Sequence, residues 1–197
     1  MTSVGRKLPS NYDDPIDSLF SDYSEKLNPY FKKMNFTPNG ITTLSFIFGL
    51  LAIYAYIKSN YLLCSILYLI GYFFDCMDGN YARTYNMSSK FGDIYDHLTD
   101  VIVNLALLYL IVFNIKVSRK FKYIGISILV LFYIITLYYL ACQEKYLSKI
   151  NNSDILALVT PKCNNTEDLI ILRYFGCGMF NICVAIFLLL HYFFLKK

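Results

Sequence analysis

The chain has 197 residues, of which 56% are hydrophobic, 18% aromatic and only 16% charged, and its formal net charge is +4. Its mean hydropathy is +0.44. This composition excludes a water-soluble domain and a disordered chain, and it is typical of an integral membrane protein.

The first forty residues contain no apolar stretch of the kind that a signal peptide needs. Apolar residues recur there at helical spacing from Asp17 onward, at Leu19, Phe20, Tyr23 and Leu27. This pattern predicts an amphipathic helix that lies in the membrane interface, and a disordered polar tail is the alternative. We therefore treat residues 1–37 as a cytosolic or interfacial amino-terminal segment and residues 38–197 as the membrane domain.

Five apolar runs follow, at residues 41–57, 60–74, 101–115, 121–142 and 169–195. A transmembrane helix needs about 20 apolar residues, so the second and third runs span a membrane only if their helices include the neighbouring acids. The fifth run is longer than one span requires, and Gly176 and Gly178 could interrupt it. We predict an all-α integral membrane protein, a bundle of five or six transmembrane helices with an amino-terminal interfacial helix.

Six cysteines lie mostly in the apolar runs, without a CxxC pair: Cys64, Cys76, Cys142, Cys163, Cys177 and Cys183. No histidine is spaced to share a metal with them. We interpret these cysteines as buried small hydrophobic residues.

Five of the fourteen acidic residues lie between the second and third apolar runs, at Asp75, Asp78, Asp93, Asp96 and Asp100. Ionised groups at the edge of a hydrocarbon layer are costly unless they are paired, hydrated or neutralised by a ligand. This cluster is therefore the first candidate for a functional site. Because the polar link between the two helices is short, we expect an antiparallel hairpin with both acidic ends on one side of the membrane.

Helical geometry groups these acids into two facing stripes. On the first helix Asp75, Asp78, Gly79, Ala82 and Arg83 share one face; on the second, Gly92, Asp96 and Asp100 recur every fourth residue. Four carboxylates brought together would repel one another unless cations intervened, and oxygen ligands favour Mg²⁺ or Mn²⁺. Two such ions about 3.5–4 Å apart serve displacement at phosphorus. The small residues leave room for a bulky ligand, and the arginine offers a planar fork for phosphate.

The motif Asp75-x2-Asp78-Gly79-x2-Ala82-Arg83-x8-Gly92-x3-Asp96-x3-Asp100 resembles the signature of the CDP-alcohol phosphotransferase family at every defined position. The segment Pro38-Asn39-Gly40-Ile41-Thr42 also resembles the family's entry into its first span. The resemblance is firm over residues 38–115 and only topological beyond. It implies six transmembrane helices, a homodimer, and transfer of a substituted phosphoryl group from a CDP-linked donor to an alcohol, with release of CMP.

The resemblance also implies roles for individual residues. Asp75, Asp78 and Asp96 would hold two ions of Mg²⁺ or Mn²⁺, and Asp100 would be both a metal neighbour and the general base. The implied substrate-binding residues are Gly79, Ala82, Arg83, Ser89 and Gly92, with Asn39 and Thr42 as weaker candidates. Asp93 falls outside the pattern and is interpreted as a helix-start residue favoured by the helix dipole.

Two further polar residues have competing interpretations. Arg173 lies inside an apolar run, so one hypothesis is that it contacts the acceptor or a phosphate group, and the alternative is that it snorkels to the interface. His97 follows Asp96 directly, and we interpret it as a chance neighbour and not a metal ligand.

The substrate branch is less clearly indicated than the family. Short members resemble phosphatidyltransferases that use CDP-diacylglycerol and a polar acceptor such as inositol or glycerol phosphate. The alternative is an aminoalcohol phosphotransferase that uses CDP-choline or CDP-ethanolamine with diacylglycerol: Asp96-His97 resembles that branch, whereas Thr99-Asp100 resembles the inositol branch. Interpretations from other classes are an intramembrane cation transporter, a membrane prenyltransferase and an inactive relative.

We expect phospholipid biosynthesis in the bilayer as the setting, with one lipid substrate and no nucleic acid partner. With five spans and a cytosolic amino terminus, Lys and Arg residues show only a weak positive-inside bias. The expected use of a cytosolic nucleotide donor is a stronger reason than the charge distribution to place the site on the cytosolic side. In a eukaryote, we expect this multi-pass protein in the endoplasmic reticulum.

Overall fold

The computed structural model describes residues 5–151 and 166–195, with side chains described for 5–146 and 168–195. Its helices are α1 (Pro15–Lys33), α2 (Pro38–Ile57), α3 (Tyr61–Thr84), α4 (Lys90–Phe113), α5 (Arg119–Asn151), α6 (Thr166–Leu172) and α7 (Cys177–Leu190). A 3-10 turn, Arg173–Phe175, joins α6 to α7. Apart from one bridge between Val117 and Leu195, these ranges contain no extended pairing. The all-α prediction is confirmed.

Polar side chains define where several helices begin. The caps are Asp14 for α1, Thr37 for α2, Asn60 for α3 and Ser89 for α4. Each accepts a hydrogen bond from a backbone N–H of the first turn, a group that has no partner within the helix. Proline follows the cap in α1 and α2, where its fixed backbone angle suits the first helical position.

Within the described residues, five segments are long and apolar enough to cross a membrane, in keeping with the predicted bundle of five or six. They are α2, α3, α4, Arg119–Tyr146 within α5, and Asp168–Leu190, which includes most of α6, the 3-10 turn and α7. The helices α3 and α4 reach this length because they include the acids. The last segment is interrupted at Gly176, whose backbone is extended, so the fifth apolar run forms a broken helix.

Small residues bring the central helices close together. Helices α2 and α3 form the main pair, where a Cβ on Gly71 would lie only 3.3 Å from the carbonyl oxygen of Ser45. Helix α4 packs on the other side of α2, and a Cβ on Gly49 would lie 2.6 Å from a methyl carbon of Val103. Such close approach favours dispersion contacts between membrane helices. Helix α7 packs against α3 and α5, so α3 contacts α1, α2 and α7.

The ends of α2, α3 and α4 that lie far from the acids are joined by a polar contact. The side-chain amide of Asn114 donates hydrogen bonds of 3.0 Å to the hydroxyls of Tyr56 and Tyr61. Both tyrosines are almost fully buried, as are many of the apolar residues around them. This network satisfies the tyrosine hydroxyls within an apolar environment.

The residues before α1 cross the end of the bundle that carries the acids. Side chains of the bundle donate hydrogen bonds to backbone carbonyls of this segment: Arg83 Nε to Gly5 at 2.9 Å, Arg173 Nη1 to Ser10 at 3.1 Å and Asn11 at 2.8 Å, and Tyr139 Oη to Tyr12 at 2.9 Å. Helix α1 then packs against α3 and α7. The amino-terminal helix predicted from the sequence is therefore present, and it forms part of the packed structure.

The prediction that the cysteines are buried small hydrophobic residues holds for Cys64, whereas Cys76, Cys177 and Cys183 are only half-buried. Cys142 is disulfide-bonded, whereas Cys64, Cys76, Cys177 and Cys183 are free; Cys163 lies outside the described residues. Cys142 is 2% exposed and packs with Tyr139 and Leu169. A half-cystine and a reduced cysteine have the same kind of apolar surroundings, so local hydrophobicity could not distinguish them.

Candidate active site

The structure brings together three of the four motif aspartates, from the end of α3 and the start of α4. Carboxylate oxygens of Asp75, Asp78 and Asp96 lie within 4.8 Å of one another. Asp100 lies one turn further along α4 and interacts with Asp75. The facing stripes predicted from helical spacing therefore meet in the folded chain.

The cluster concentrates negative charge without a matching protein cation. Within the described residues, no Lys or Arg forms an ion pair with any of these four carboxylates; the nearest cationic candidate is His97, whose Nδ1 lies 4.0 Å from Asp96 Oδ2. The side chain of His97 is 83% exposed. In addition, Asp96 Oδ1 is buried and accepts no hydrogen bond. A cluster of carboxylate oxygens, one of which has no hydrogen-bond partner, is a donor set suited to a hard divalent cation.

Helix α2 helps to orient the cluster through Thr42. The hydroxyl of Thr42 contacts Asp78 Oδ2 directly and also lies 3.2 Å from the carbonyl oxygen of Pro38. Both Thr42 and Asp78 are buried, so this contact fixes the carboxylate in a low-dielectric environment where a hydrogen bond is strong. On the same face of α3, a Cβ on Gly79 would lie 3.2 Å from Nη1 of Arg83. Glycine at position 79 therefore leaves room for the guanidinium of Arg83.

A cavity of about 480 Å³, here called the outer cavity, opens beside the loop between α3 and α4. Its volume falls within the range of small-molecule sites. Three aspartates of the cluster line it, Asp75, Asp78 and Asp96. The seven residues that the motif implied in substrate binding also line it: Asn39, Thr42, Gly79, Ala82, Arg83, Ser89 and Gly92. The residues predicted from the sequence therefore line the same cavity. The role of each residue is still a prediction.

A second cavity of about 180 Å³, here called the inner cavity, lies deeper between α2, α3, α4 and α7. Asp75 lines both cavities, whereas Asp100 lines the inner one. Beyond the two carboxylates, the inner cavity is bounded by polar side chains that include Tyr68, Asn104 and Asn181. The two cavities therefore approach the aspartate cluster from different sides.

Three residues at these cavities were not singled out in the sequence. Asn104 follows Asp100 by four residues and so extends the stripe of α4 by one turn, a signal that could have been used. Lys7 lines the outer cavity with its Nζ 3.3 Å from Glu144 Oε1, and Asn181 lines the inner cavity from α7. Both depend on contacts between distant parts of the chain, for which the sequence carries no local signal.

Arg173 and Asp93 are placed differently in this arrangement, because Asp93 lines the outer cavity and Arg173 does not. Arg173 lines neither cavity and binds backbone carbonyls before α1. Its predicted contact with an acceptor or a phosphate stays a prediction. Asp93 lies in the first turn of α4 and is exposed, as expected for a residue favoured by the helix dipole.

A bundle of apolar, membrane-length helices with a carboxylate cluster at one end defines a membrane protein with a polar, ligand-sized site. The sequence profile of the CDP-alcohol phosphatidyltransferase family matches residues 35–193. The chain belongs to this family.

Individual relatives match shorter segments. The chain is 32% identical over 85 residues to an archaetidylinositol phosphate synthase of Pyrococcus horikoshii, over 43% of this chain and 45% of the relative. It is 36% identical over 80 residues to a human CDP-diacylglycerol–inositol 3-phosphatidyltransferase, over 38% of this chain and 37% of the relative. Each match thus spans less than half of the relative's length. No solved structure matched the chain.

Proposed function

We propose that the protein transfers a phosphatidyl group from CDP-diacylglycerol to a polar alcohol and releases CMP, a metal-dependent step of phospholipid biosynthesis. One observation carries this proposal: the three clustered carboxylates line the same cavity as the seven other motif residues. The names of the relatives support it, since one is a CDP-diacylglycerol–inositol 3-phosphatidyltransferase and the other an archaetidylinositol phosphate synthase.

The outer cavity is the place for the nucleotide donor in this proposal. Arg83 lines it with a guanidinium that can bind two phosphate oxygens side by side. Ser89 accepts a hydrogen bond from the backbone N–H of Gly92 at 3.0 Å, which fixes the start of α4 at the cavity wall. A Cβ on Gly92 would lie 3.0 Å from Asn39 Oδ1, so glycine allows Asn39 to approach. These residues would position the diphosphate beside the aspartates.

Asp75, Asp78 and Asp96 would hold Mg²⁺ or Mn²⁺, in the two-ion arrangement that the motif implies, with Asp100 at the edge of the set. Their shared position and the unsatisfied Asp96 oxygen fit such an ion. When bound, divalent cations would neutralise the diphosphate and stabilise CMP as it leaves. Thr42 would keep the carboxylate of Asp78 oriented towards the ligand set.

Asp100 is the proposed general base. The acceptor hydroxyl would transfer its proton to the Asp100 carboxylate while the alcohol oxygen forms a bond to the phosphorus of the phosphatidyl group. The bond between that phosphorus and the bridging oxygen of CMP would break, and CMP would take the electron pair. Asp100 suits this role because it lines the inner cavity, beside Asp75 and away from the mouth of the outer cavity.

The setting of the reaction is part of the proposal. Five candidate spans make a multi-pass membrane protein, and we propose that the site faces the cytosol, in the endoplasmic reticulum of a eukaryotic cell. A homodimer is proposed as well. Its support is the outward face of α4, which exposes large apolar residues such as Ile94, Leu98 and Leu105 that lipid or a second copy would cover.

The test is CMP release by the purified full chain in detergent, with CDP-diacylglycerol, an alcohol panel and Mg²⁺ or Mn²⁺. We expect release that requires donor, acceptor and metal, and that falls by about 100-fold or more in Asp100→Asn because the base is lost. Asp168→Asn, at a carboxylate that lines neither cavity, is the matched control and should retain activity.

Two outcomes would contradict the proposal. Release only from CDP-choline or CDP-ethanolamine with diacylglycerol would assign the protein to the aminoalcohol branch. Cation flux into vesicles without CMP release under any pairing would support a transporter instead.

A further inference from the structure

The inner cavity differs chemically from the outer one. The outer cavity is lined by Lys7 and Arg83 in addition to its aspartates, so it offers positive charge to an anionic ligand. The inner cavity is lined by Asp75 and Asp100, and none of the described residues that bound it is Lys, Arg or His. A phosphorylated acceptor there would find no protein cation, and the metal ions proposed at Asp75 would already neutralise the donor diphosphate.

The uncharged polar groups of the inner cavity form one hydrogen-bonded set. Tyr68 Oη lies 2.5 Å from Asn181 Oδ1 and 3.2 Å from Asn104 Oδ1. A tyrosine hydroxyl has a single proton, so the two amide oxygens compete for it and one is left able to accept from a ligand. This set connects α3, α4 and α7 at the wall of the cavity.

The two amides also retain donor capacity. Asn181 Nδ2 donates to the carbonyl oxygen of Cys177 at 2.9 Å, and Asn104 Nδ2 donates to that of Asp100 at 3.0 Å. Each side-chain amide has two N–H groups, so each has a second one to offer. The cavity therefore presents donors and acceptors together, next to Asp100. This combination matches a ligand with several hydroxyl groups, each of which both donates and accepts.

We infer that the inner cavity is the acceptor site and selects an alcohol without a phosphate group, a small neutral polyol, through Asn104, Asn181 and Tyr68. This inference rests on the proposed function and specifies its acceptor. The cavity volume of about 180 Å³ gives room for a small polyol. The acceptor hydroxyl nearest Asp100 would be the one that reacts.

The first test uses the unaltered full chain, with Mg²⁺, CDP-diacylglycerol and acceptors paired by the presence of a phosphate: inositol with inositol 1-phosphate, and glycerol with glycerol 3-phosphate. We expect CMP release with a kcat/KM about tenfold or more larger for the neutral member of the pair that reacts. A larger value for the phosphorylated member, or equal values, would overturn the inference while leaving phosphatidyl transfer established. No release with any acceptor would overturn the proposed function and this inference with it.

The second test uses Asn181→Leu, which removes hydrogen bonds from the cavity wall with little change in volume. We expect the KM for the neutral acceptor to rise by about tenfold or more and the KM for CDP-diacylglycerol to stay within about twofold. Asn114→Leu is the matched control, because Asn114 also bonds two tyrosines but at the far end of the bundle. It should leave both KM values unchanged. An Asn181 variant that changes only the donor KM, or neither, would place the acceptor elsewhere.

Discussion

The backbone N–H of Met179 donates a hydrogen bond of 3.0 Å to Oδ2 of Asp14, so the residue that caps α1 also caps α7. The other carboxylate oxygen, Oδ1, accepts from the N–H groups of Ile16 and Asp17 at 2.7 and 3.3 Å. Gly176, at the start of α7, has no side chain to do this. One buried carboxylate therefore completes two helices that are far apart in the chain.

Replacing Asp14 with alanine should lower the free energy of unfolding. Two helix starts would lose their acceptor, and buried N–H groups would be left unsatisfied, a cost of about 1–3 kcal/mol. Thermal unfolding of the purified protein in detergent measures this change. Asp93→Ala is the control, since Asp93 is exposed in the first turn of α4. Equal unfolding temperatures for the two variants would show that Asp14 does not stabilise both helices.

Stability should depend on pH through Asp17. Burial, and next the negative charge of Asp14, raises the pKa of Asp17 from 3.8 to about 7. The folded state then binds more protons than the unfolded chain between those values, so this contribution to stability is full below about pH 4 and is lost as the pH rises through about 7. Burial also raises the pKa of Asp13 to about 6, which acts in the same direction.

We therefore expect the unfolding temperature, measured without divalent metal, to fall between pH 5 and pH 8. Asp17→Asn should flatten this slope, because asparagine can still accept the hydrogen bond from the hydroxyl of Tyr72 and does not ionise. Identical pH slopes for the variant and the unaltered protein would assign the dependence to other groups.

A side chain at position 178 should separate α1 from α7. A Cβ on Gly178 would lie 2.5 Å from Asp14 Oδ1 and 2.6 Å from Asp17 Oδ1, so Gly178→Ala forces both carboxylates to move. We expect a loss of about 1–3 kcal/mol of stability. Gly40→Ala is the control, because a Cβ at that position would lie 3.4 Å from its nearest atom, Thr37 Oγ1. Its free energy of unfolding should be close to that of the unaltered protein. The prediction fails if the two alanine variants unfold at the same temperature.

Metal binding can be measured without catalysis. Manganese titrated into the purified chain, followed by electron paramagnetic resonance, should show a site that weakens by about tenfold or more in Asp78→Asn, since one of three clustered oxygen ligands loses its charge. Asp168→Asn, at a carboxylate outside both cavities, should bind manganese as the unaltered chain does. Unchanged binding in Asp78→Asn would remove this aspartate from the ligand set.

The arginine of the motif should not be replaceable by lysine. Arg83→Lys keeps the charge, but lysine has no Nε to donate to Gly5 and no planar fork for phosphate. We expect the KM for the CDP-linked donor to rise by about tenfold. Arg119→Lys, at the start of α5 and the opposite end of the bundle, should leave it unchanged. A donor KM equally insensitive to both substitutions would contradict the role given to Arg83.

The aspartate cluster could be predicted from sequence because it depends on two helices joined by a short link. Spacing alone places Asp75 and Asp78 on one helical face, and Asp96 and Asp100 on another, and the link makes these faces meet. Run length in the same way predicted five or six spans, and the described residues contain five candidates. Sequence therefore predicts those features that depend only on helical periodicity and on a short connection between neighbouring helices.

The remaining features depend on contacts between distant segments, for which periodicity has no signal. The pairing of Asn181 with Tyr68 depends on how α3 and α7 pack, and no local pattern marked Cys142 as disulfide-bonded. The capping of α7 by Asp14 could have been half predicted, because an aspartate before Pro15 marks the start of a helix. Its second partner, 165 positions away in sequence, could not.

The match to the family profile begins at residue 35, but residues before it also make contacts within the helix bundle. Gly5 holds the motif arginine, and Asp14 holds the start of α7. A chimera that joined this membrane domain to the amino-terminal segment of a relative would replace one of the two partners in each of these contacts. To keep the start of α7 in place, such a chimera would need a side chain at position 14 that accepts the hydrogen bond from the N–H of Met179.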